Sequence, residues 1–276
     1  MKSPVTELSL DGCLDRHRRC GGRGSLAVVA AADSTNRWAR RIARVYLESE
    51  RPLPRLVLVA REQSEGRGRH GRCWVSQAGQ GIYTSLLLSV TDGEARAALP
   101  LRVPLALCQA LERVGVPCGI KWPNDLVVDG GKLGGVLIES LAGGRAVIVG
   151  YGINGSQTES SLPTPGATSL RLATGATLDL SEMAVDLADA VMDRLAESEP
   201  MATLVEAYRE RSVHRLGDRL RCRLGDEVLT GSFTGFDDLG RLRLETRGGE
   251  RVLGSAELLT ESAKGVAIGC GEAVGA

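Results

Sequence analysis

The segment Gly66-Arg67-Gly68-Arg69-His70-Gly71-Arg72 carries three guanidinium groups on a backbone loosened by three glycines. Arginine offers a fork of donors to phosphate, and glycine lets main-chain N–H groups come close, so the chemistry implied is capture of a phosphate or an adenylate. A solvated basic loop or an RNA-binding patch is the plainer reading of the same residues. Gln63 just before and Trp74 just after add an amide and an apolar plate.

A second cluster, Lys121-Trp122-Pro123-Asn124-Asp125, closes a strand with a cation, a ring, a rigid turn, an amide and a carboxylate. Proline holds the turn, so Asn124 and Asp125 cannot swing freely. A capped turn with an exposed lysine is the alternative. Lys132 follows in Gly130-Gly131-Lys132-Leu133-Gly134-Gly135, which is not a phosphate-binding P-loop because no GxxxxGK[ST] is present. Of the 34 basic residues only Lys2, Lys121, Lys132 and Lys264 are lysines. A chain that writes nearly every cation as arginine, yet keeps two lysines in one glycine-rich region, needs an ammonium there.

The elements that must hold these residues read as a mixture of strands and helices without strict alternation, which favours α+β over a doubly wound parallel sheet. A strand from Leu26 leads to Asp33-Ser34-Thr35-Asn36, and Trp38, Ile42 and Tyr46 share one face of a helix capped by Asp33 or Ser34. Residues 55–60 and 81–90 read as buried strands flanking the arginine loop. Leu101, Leu105, Cys108 and Leu111 mark a helix opening near Pro104. Residues 135–140 and 146–149 are further strands, the second running into Gly150-Tyr151-Gly152-Ile153-Asn154. Ser181 caps a helix bearing Leu187, Val191 and Leu195, and Leu204, Val205 and Tyr208 mark another. Beyond Val213, short alternating segments separated by Gly225-Asp226, Asp238-Leu239-Gly240 and Gly248-Gly249 indicate a small all-β module. The expected organisation is a flexible leader over 1–23, a catalytic region over 24–212, the β module over 213–262 and a tail over 263–276.

The 276 residues hold 34 basic and 34 acidic side chains, so no global field draws the chain to DNA, RNA or an anionic membrane. Residues 26–32 are too short for a secretion signal, and nothing else approaches the roughly 20 apolar residues of a membrane span. The seven cysteines contain no CxxC pair and are odd in number, which argues against a disulfide framework or a zinc cluster and fits a reducing cytoplasm. Cys73 and His70 sit in the arginine loop as ordinary loop residues, and no covalent nucleophile is nominated.

Taken in order, Asp33-Ser34-Thr35-Asn36, Gln63 with the GRGRHGRCW run ending at Trp74, KWPND from Lys121, GKLGGVLIE from Gly131 to Glu139, GYGIN from Gly150 and ATSL from Ala167 resemble the catalytic part of biotin protein ligases. The likeness spans roughly residues 26–260, its last part resembling the SH3-like C-terminal barrel of that family. The resemblance implies biotin and ATP as substrates, Mg²⁺ carried by ATP with no protein metal ligands, and a biotin carboxyl carrier domain as acceptor. It places Ser34, Thr35 and Gln63 on the ureido ring with Asn36 also in the biotin site, and Gly66, Arg67, Gly68 and Arg69 in a loop over biotin and the adenylate. Trp74 would pack on the apolar part of biotin, with Lys121 beside its carboxylate. Nucleotide contacts fall on Arg69, Arg72, Trp74, Asn124, Lys132, Gly152 and Asn154. Lys121, Arg69 and Lys132 are the expected catalytic cations.

Two features depart from that pattern or limit it. Gly254-Ser255-Ala256-Glu257 stands where the family often has a glycine–acidic pair, and fewer than 30 residues precede the catalytic start, too few for a helix-turn-helix repressor domain. A biotin-adenylate sensor without transfer, a lipoate-type ligase and an RNA-binding module are the competing functions, and monomer and homodimer remain equally open.

Overall fold

A computed structural model describes residues 5–174 and 178–259. The chain divides into two compact units after Val213. The first runs β1 (Val5–Thr6), α1 (Leu10–Cys20), β2 (Ser25–Ala32), α2 (Thr35–Glu48), β3 (Leu56–Gln63), β4 (Gly81–Leu88), α3 (Gly93–Arg113), β5 (Gly119–Lys121), β6 (Asp125–Val128), β7 (Gly131–Leu141), β8 (Ala146–Asn154), α4 (Leu170–Ala173), β9 (Leu178–Asp179), α5 (Leu180–Ala196) and α6 (Met201–Arg211). Seven strands form one mixed sheet in the order β2-β3-β4-β8-β7-β6-β5, parallel only between β2 and β3.

The sheet is a central layer because β4 and β8 are buried along their whole length, and a strand covered on both faces must be apolar at both parities. One face takes α2, whose Ala39 and Ala43 pack on Leu58, Leu87 and Ile148. The other face, where Tyr151 and Ile153 point, is covered by α3 and α5, which also pack on each other. Small alanines on α2 let its axis approach the strands closely, and that brings its first turn down onto the sheet.

Three expectations need correction. Residues 10–20, read as part of a structureless leader, form α1, capped by the Ser9 hydroxyl accepting from Gly12 N–H. Cys13 is fully buried, and Arg16, Arg19 and Arg23 meet Asp186, Glu182 and Asp193 of α5. Helix α3 opens at Asp92 rather than near Pro104, and both Pro100 and Pro104 lie inside it. Each proline removes a helix hydrogen bond, and nearly continuous burial from Ala98 to Cys108 offsets that loss. The cap of α5 is Asp179, whose carboxylate accepts from the N–H groups of Ser181 and Glu182.

The second unit is an antiparallel five-stranded sheet, β10 (Arg219–Leu224), β11 (Glu227–Phe236), β12 (Leu242–Thr246), β13 (Gly249–Leu253) and β14 (Glu257–Leu259), in the order β13-β12-β11-β10-β14. The two-residue turn from β10 to β11 opens on Gly225 at φ 61°, a left-handed value that suits glycine. Cys222, Leu242 and Leu244 are fully buried, and Phe233 meets Phe236 edge-on with ring centroids 5.1 Å apart. The expected tail over 263–276 lies outside the described residues. No helix among the described residues is long and apolar enough to cross a membrane.

Candidate active site

On the face of the sheet that carries α2, the register aligns Asp125, Gly135, Gly152 and Tyr83 in one row and Leu137, Gly150 and Ser85 in the next. Three of these seven positions are glycine, so the sheet has a shallow bare floor there. Other groups fill it. A Cβ on Gly150 would land inside the Asn36 amide, and one on Gly152 would lie 2.5 Å from the Trp74 ring. The glycines are therefore needed for close approach of α2 and of the arginine loop, and not for backbone conformation.

Helix α2 begins over this floor with Ser34 as its N-cap in extended geometry, Asp33 accepting from Ser34 N–H. Gln63, at the end of β3, reaches across: its Oε1 accepts from Thr35 N–H at 2.8 Å and from the Thr35 hydroxyl at 3.2 Å, while its Nε2 donates to Ser76 Oγ at 2.8 Å. Ser85 Oγ lies 2.8 Å from Thr35 Oγ1 and 2.6 Å from Asn36 Oδ1. Asn36 Nδ2 in turn donates to Glu139 at 2.9 Å. Both ends of the Asn36 amide are thus spent inside the protein. The Ser34 hydroxyl makes no capping bond.

The arginine loop is a hairpin. Arg67 bridges Cys73, Gly68 N–H donates to Arg72 C=O at 2.7 Å, and Trp74 N–H donates to Gly66 C=O at 2.8 Å. His70 at its tip holds φ 54°, a left-handed conformation uncommon for a side-chain-bearing residue. Gly66 is required because its Cβ would collide with Trp74 C=O. Inward from the tip, Arg69 donates to Asn124 Oδ1 at 3.1 Å, and Asn124 Nδ2 donates to Val136 C=O at 2.8 Å. Burial pulls the Arg69 guanidinium below its ordinary pKa, partly opposed by Asp125. It remains a cation at any physiological pH.

Lys132 completes the group. Its ammonium is 2.7 Å from Asp125 Oδ1 and 5.7 Å from the Trp74 ring centroid. The Lys132 main chain is fixed by Gly166 C=O and Thr168 N–H, at 2.8 and 2.9 Å. Asn154 donates to Thr168 C=O at 2.9 Å. Among the described residues, the buried polar atoms without a partner include Trp74 Nε1, a donor, and Asn154 Oδ1, an acceptor. Buried polar atoms are nearly always satisfied, so an orphan donor and an orphan acceptor at one site point to a polar ligand.

The structure therefore gathers Thr35, Asn36, Gln63, Gly66, Arg67, Gly68, Arg69, Trp74, Asn124, Lys132, Gly152 and Asn154 around one floor. Lys121 ends β5 opposite Asp125 in the β5–β6 ladder, and Arg72 stays exposed on the outer limb of the hairpin. The peptide bond between Trp122 and Pro123 is cis. Ser76, Ser85, Arg40 and Glu139 belong to the network and were not singled out from sequence. Ser85 and Glu139 each interrupt an apolar strand, and a polar side chain where burial is expected signals a partner.

Residues 28–155 match the biotin/lipoate A/B protein ligase family. The chain is 36% identical over 246 residues to the biotin–[acetyl-CoA-carboxylase] ligase of Paracoccus denitrificans, covering 84% of this chain and 98% of that protein. It is 35% identical over 243 residues to the protein of that name from Mycobacterium tuberculosis, covering 85% and 88%. The solved structure of a biotin protein ligase from Aquifex aeolicus in complex with biotin and ATP superposes with a TM-score of 0.70 at 29% identity, covering 85% of this chain and 97% of that one.

Proposed function

The chain belongs to the biotin protein ligase family, and on that premise we propose that it makes biotinyl-5′-AMP from biotin and ATP and passes biotin to a lysine of a biotin carboxyl carrier domain. The observation that carries the reading is the placement of Trp74, Lys132 and Arg69 over the glycine floor, beside an unpaired donor and an unpaired acceptor.

In the first step a biotin carboxylate oxygen attacks the α-phosphorus of ATP, and the bond to the β-phosphate oxygen breaks to release pyrophosphate. Two anions must be forced together, so the protein's service is electrostatic. Lys132 and Arg69 face the centre of the site, and Lys121 supplies a third cation from the end of β5. Mg²⁺ would arrive on the ATP phosphates and screen their charge, since it binds phosphate with few protein ligands. In the second step the acceptor amine attacks the biotinyl carbonyl, AMP leaves and the amine nitrogen loses a proton. The mixed anhydride needs shelter from water between the steps, and the arginine hairpin is the element that can close over it.

Ser34 offers its uncommitted hydroxyl to the ureido ring, with Thr35 and Gln63 shaping the same end. Trp74 Nε1 and Asn154 Oδ1 serve the nucleotide side, with Asn124 and Arg72 flanking it. The second unit is read as the SH3-like module of these enzymes, supported by its five antiparallel strands and short hairpins. The use of ATP supports a cytoplasmic setting.

Biotin-dependent ATP–pyrophosphate exchange tests the reading without the acceptor. Exchange that collapses in Lys121→Ala is expected. Biotin binding without exchange would leave a sensor, and exchange with lipoate alone would move the chain to the lipoate ligases.

A further inference from the structure

Glu139 receives three donors from two separate parts of the chain, two from α2 and one from the arginine hairpin. Its Oε2 takes Asn36 Nδ2 at 2.9 Å, and its Oε1 takes Arg40 Nη2 at 2.5 Å and Arg67 Nη1 at 3.4 Å. The carboxylate sits on β7 with its side chain only 14% exposed, whereas Arg67 is 38% exposed. One end of this contact is therefore fixed and the other belongs to the hairpin.

The bonds run on from Glu139 through Asn36 to Ser85, from Ser85 to Thr35, and from Thr35 through Gln63 to Ser76. Gln63 and Ser76 are the two feet of the hairpin, joined by a backbone bridge. Arg67 lies between those feet. The network thus closes a circuit through both feet of the hairpin and through one arginine within it.

We propose that Glu139 is a positioning residue that couples the biotin end of the site to closure of the arginine hairpin. It touches no substrate. It holds Arg67 against β7 and, through Asn36, holds the Thr35 and Gln63 side chains at the ureido end. A guanidinium–carboxylate contact of this kind is charge-assisted, and it strengthens as the site loses water. Ligand that dries the site therefore tightens the Arg67 contact, and the tightened contact retains the reactive adenylate. This inference rests on the ligase reading given above.

The test is the rate at which purified full-length enzyme releases preformed radiolabelled biotinyl-5′-AMP into excess unlabelled biotin, in the absence of acceptor. Glu139→Gln keeps the shape but removes the charge, and release roughly tenfold faster is expected from losing one charge-assisted bond. Glu139→Asp keeps a negative charge opposite Arg40, so it guards against a folding failure, and its shorter arm also loses Arg67 and speeds release. The double variant Glu139→Gln with Arg67→Lys should release no faster than Arg67→Lys alone, because both changes break the same contact.

A thermal melt separates positioning from scaffolding. Faster release in Glu139→Asp with little change in melting temperature supports the proposal. Unchanged release in both Glu139 variants, or effects of Glu139 and Arg67 that multiply, would overturn it. Absence of biotin-dependent exchange in the unmodified enzyme would instead remove the ligase reading, and that is established before either variant is made.

Discussion

Replacing Gly152 by alanine tests whether the glycine floor positions the indole. The new Cβ would lie 2.5 Å from Trp74 Cε2 and Nε1 and 2.9 Å from Cζ2. Ordinary carbon contacts fall at about 3.5–4.0 Å, so the ring must retreat by roughly 1 Å. Overpacking of this size costs about 1–3 kcal/mol. The strain falls on the hairpin, because Trp74 is half-buried and its main-chain bonds run to residues of the hairpin and its foot, from its N–H to Gly66 C=O and from the Ser76 hydroxyl to its C=O. The retreat should therefore weaken substrate binding more than it weakens the fold. Expected values are a KM for biotin or ATP raised about 5- to 150-fold, the equivalent of that strain at 1.4 kcal/mol per decade, and a melting temperature lowered by less than about 4 °C. Gly135→Ala is the control on the same floor, since its Cβ would meet nothing nearer than Asp125 Oδ1 at 3.4 Å. It should leave exchange kinetics within about twofold, as expected for ordinary contact. Equal kinetics for Gly152→Ala and the unmodified enzyme would refute the packing argument. Equal damage from both alanines would show that the floor needs glycine for some reason other than Trp74.

Lys132→Met removes the ammonium facing Trp74 and leaves Asp125 without its partner, so pyrophosphate exchange should fall by about 100-fold or more while the melting temperature moves little. Arg102, buried in α3, donates to the carbonyls of Arg194, Glu197 and Glu199 at the end of α5, at 3.4, 2.5 and 3.3 Å. Arg102→Ala should cost about 2–3 kcal/mol in urea unfolding, the loss of charge-assisted bonds made by a buried guanidinium, with KM unchanged. The Arg41 guanidinium holds the Asp33 carboxyl down to about 2. A depressed folded-state pKa stabilises above the unfolded value near 4 and is lost as pH falls toward 2, so Arg41→Ala should flatten acid unfolding in that window. Arg41 is more than half exposed, which limits the effect at pH 7 to below about 1 kcal/mol.

The residues legible from sequence are those whose type is unusual for its surroundings. Arginines among glycines, or a lysine in a chain nearly without lysine, announce themselves with no knowledge of the fold. Long apolar runs were equally plain, and β4 and β8 follow from them. What stayed hidden depends on contacts between distant positions. Helix α1 offers only Leu10, Cys13 and Leu14 along one face, and much of its remaining anchorage is ionic. Arg16 reaches Asp186 and Arg19 reaches Glu182, partners 170 and 163 residues away. No local period can report such a contact. The prolines of α3 misled for the opposite reason, since local chemistry forbids what burial across the whole helix permits. Glu139 falls between these cases. A carboxylate ending the apolar run Val136-Leu137-Ile138 marks a polar partner, but which partner follows only from register. Glu139 stands two residues beyond Leu137, Leu137 pairs with Gly150, and Gly150 is the glycine over which Asn36 sits. The three donors on Glu139 are thus a consequence of sheet register. A site of this kind becomes visible in sequence only where register can be read from a sequence signal, and the glycines at 135, 150 and 152 supply one, because bare positions of one parity on adjacent strands mark where something must lie across them.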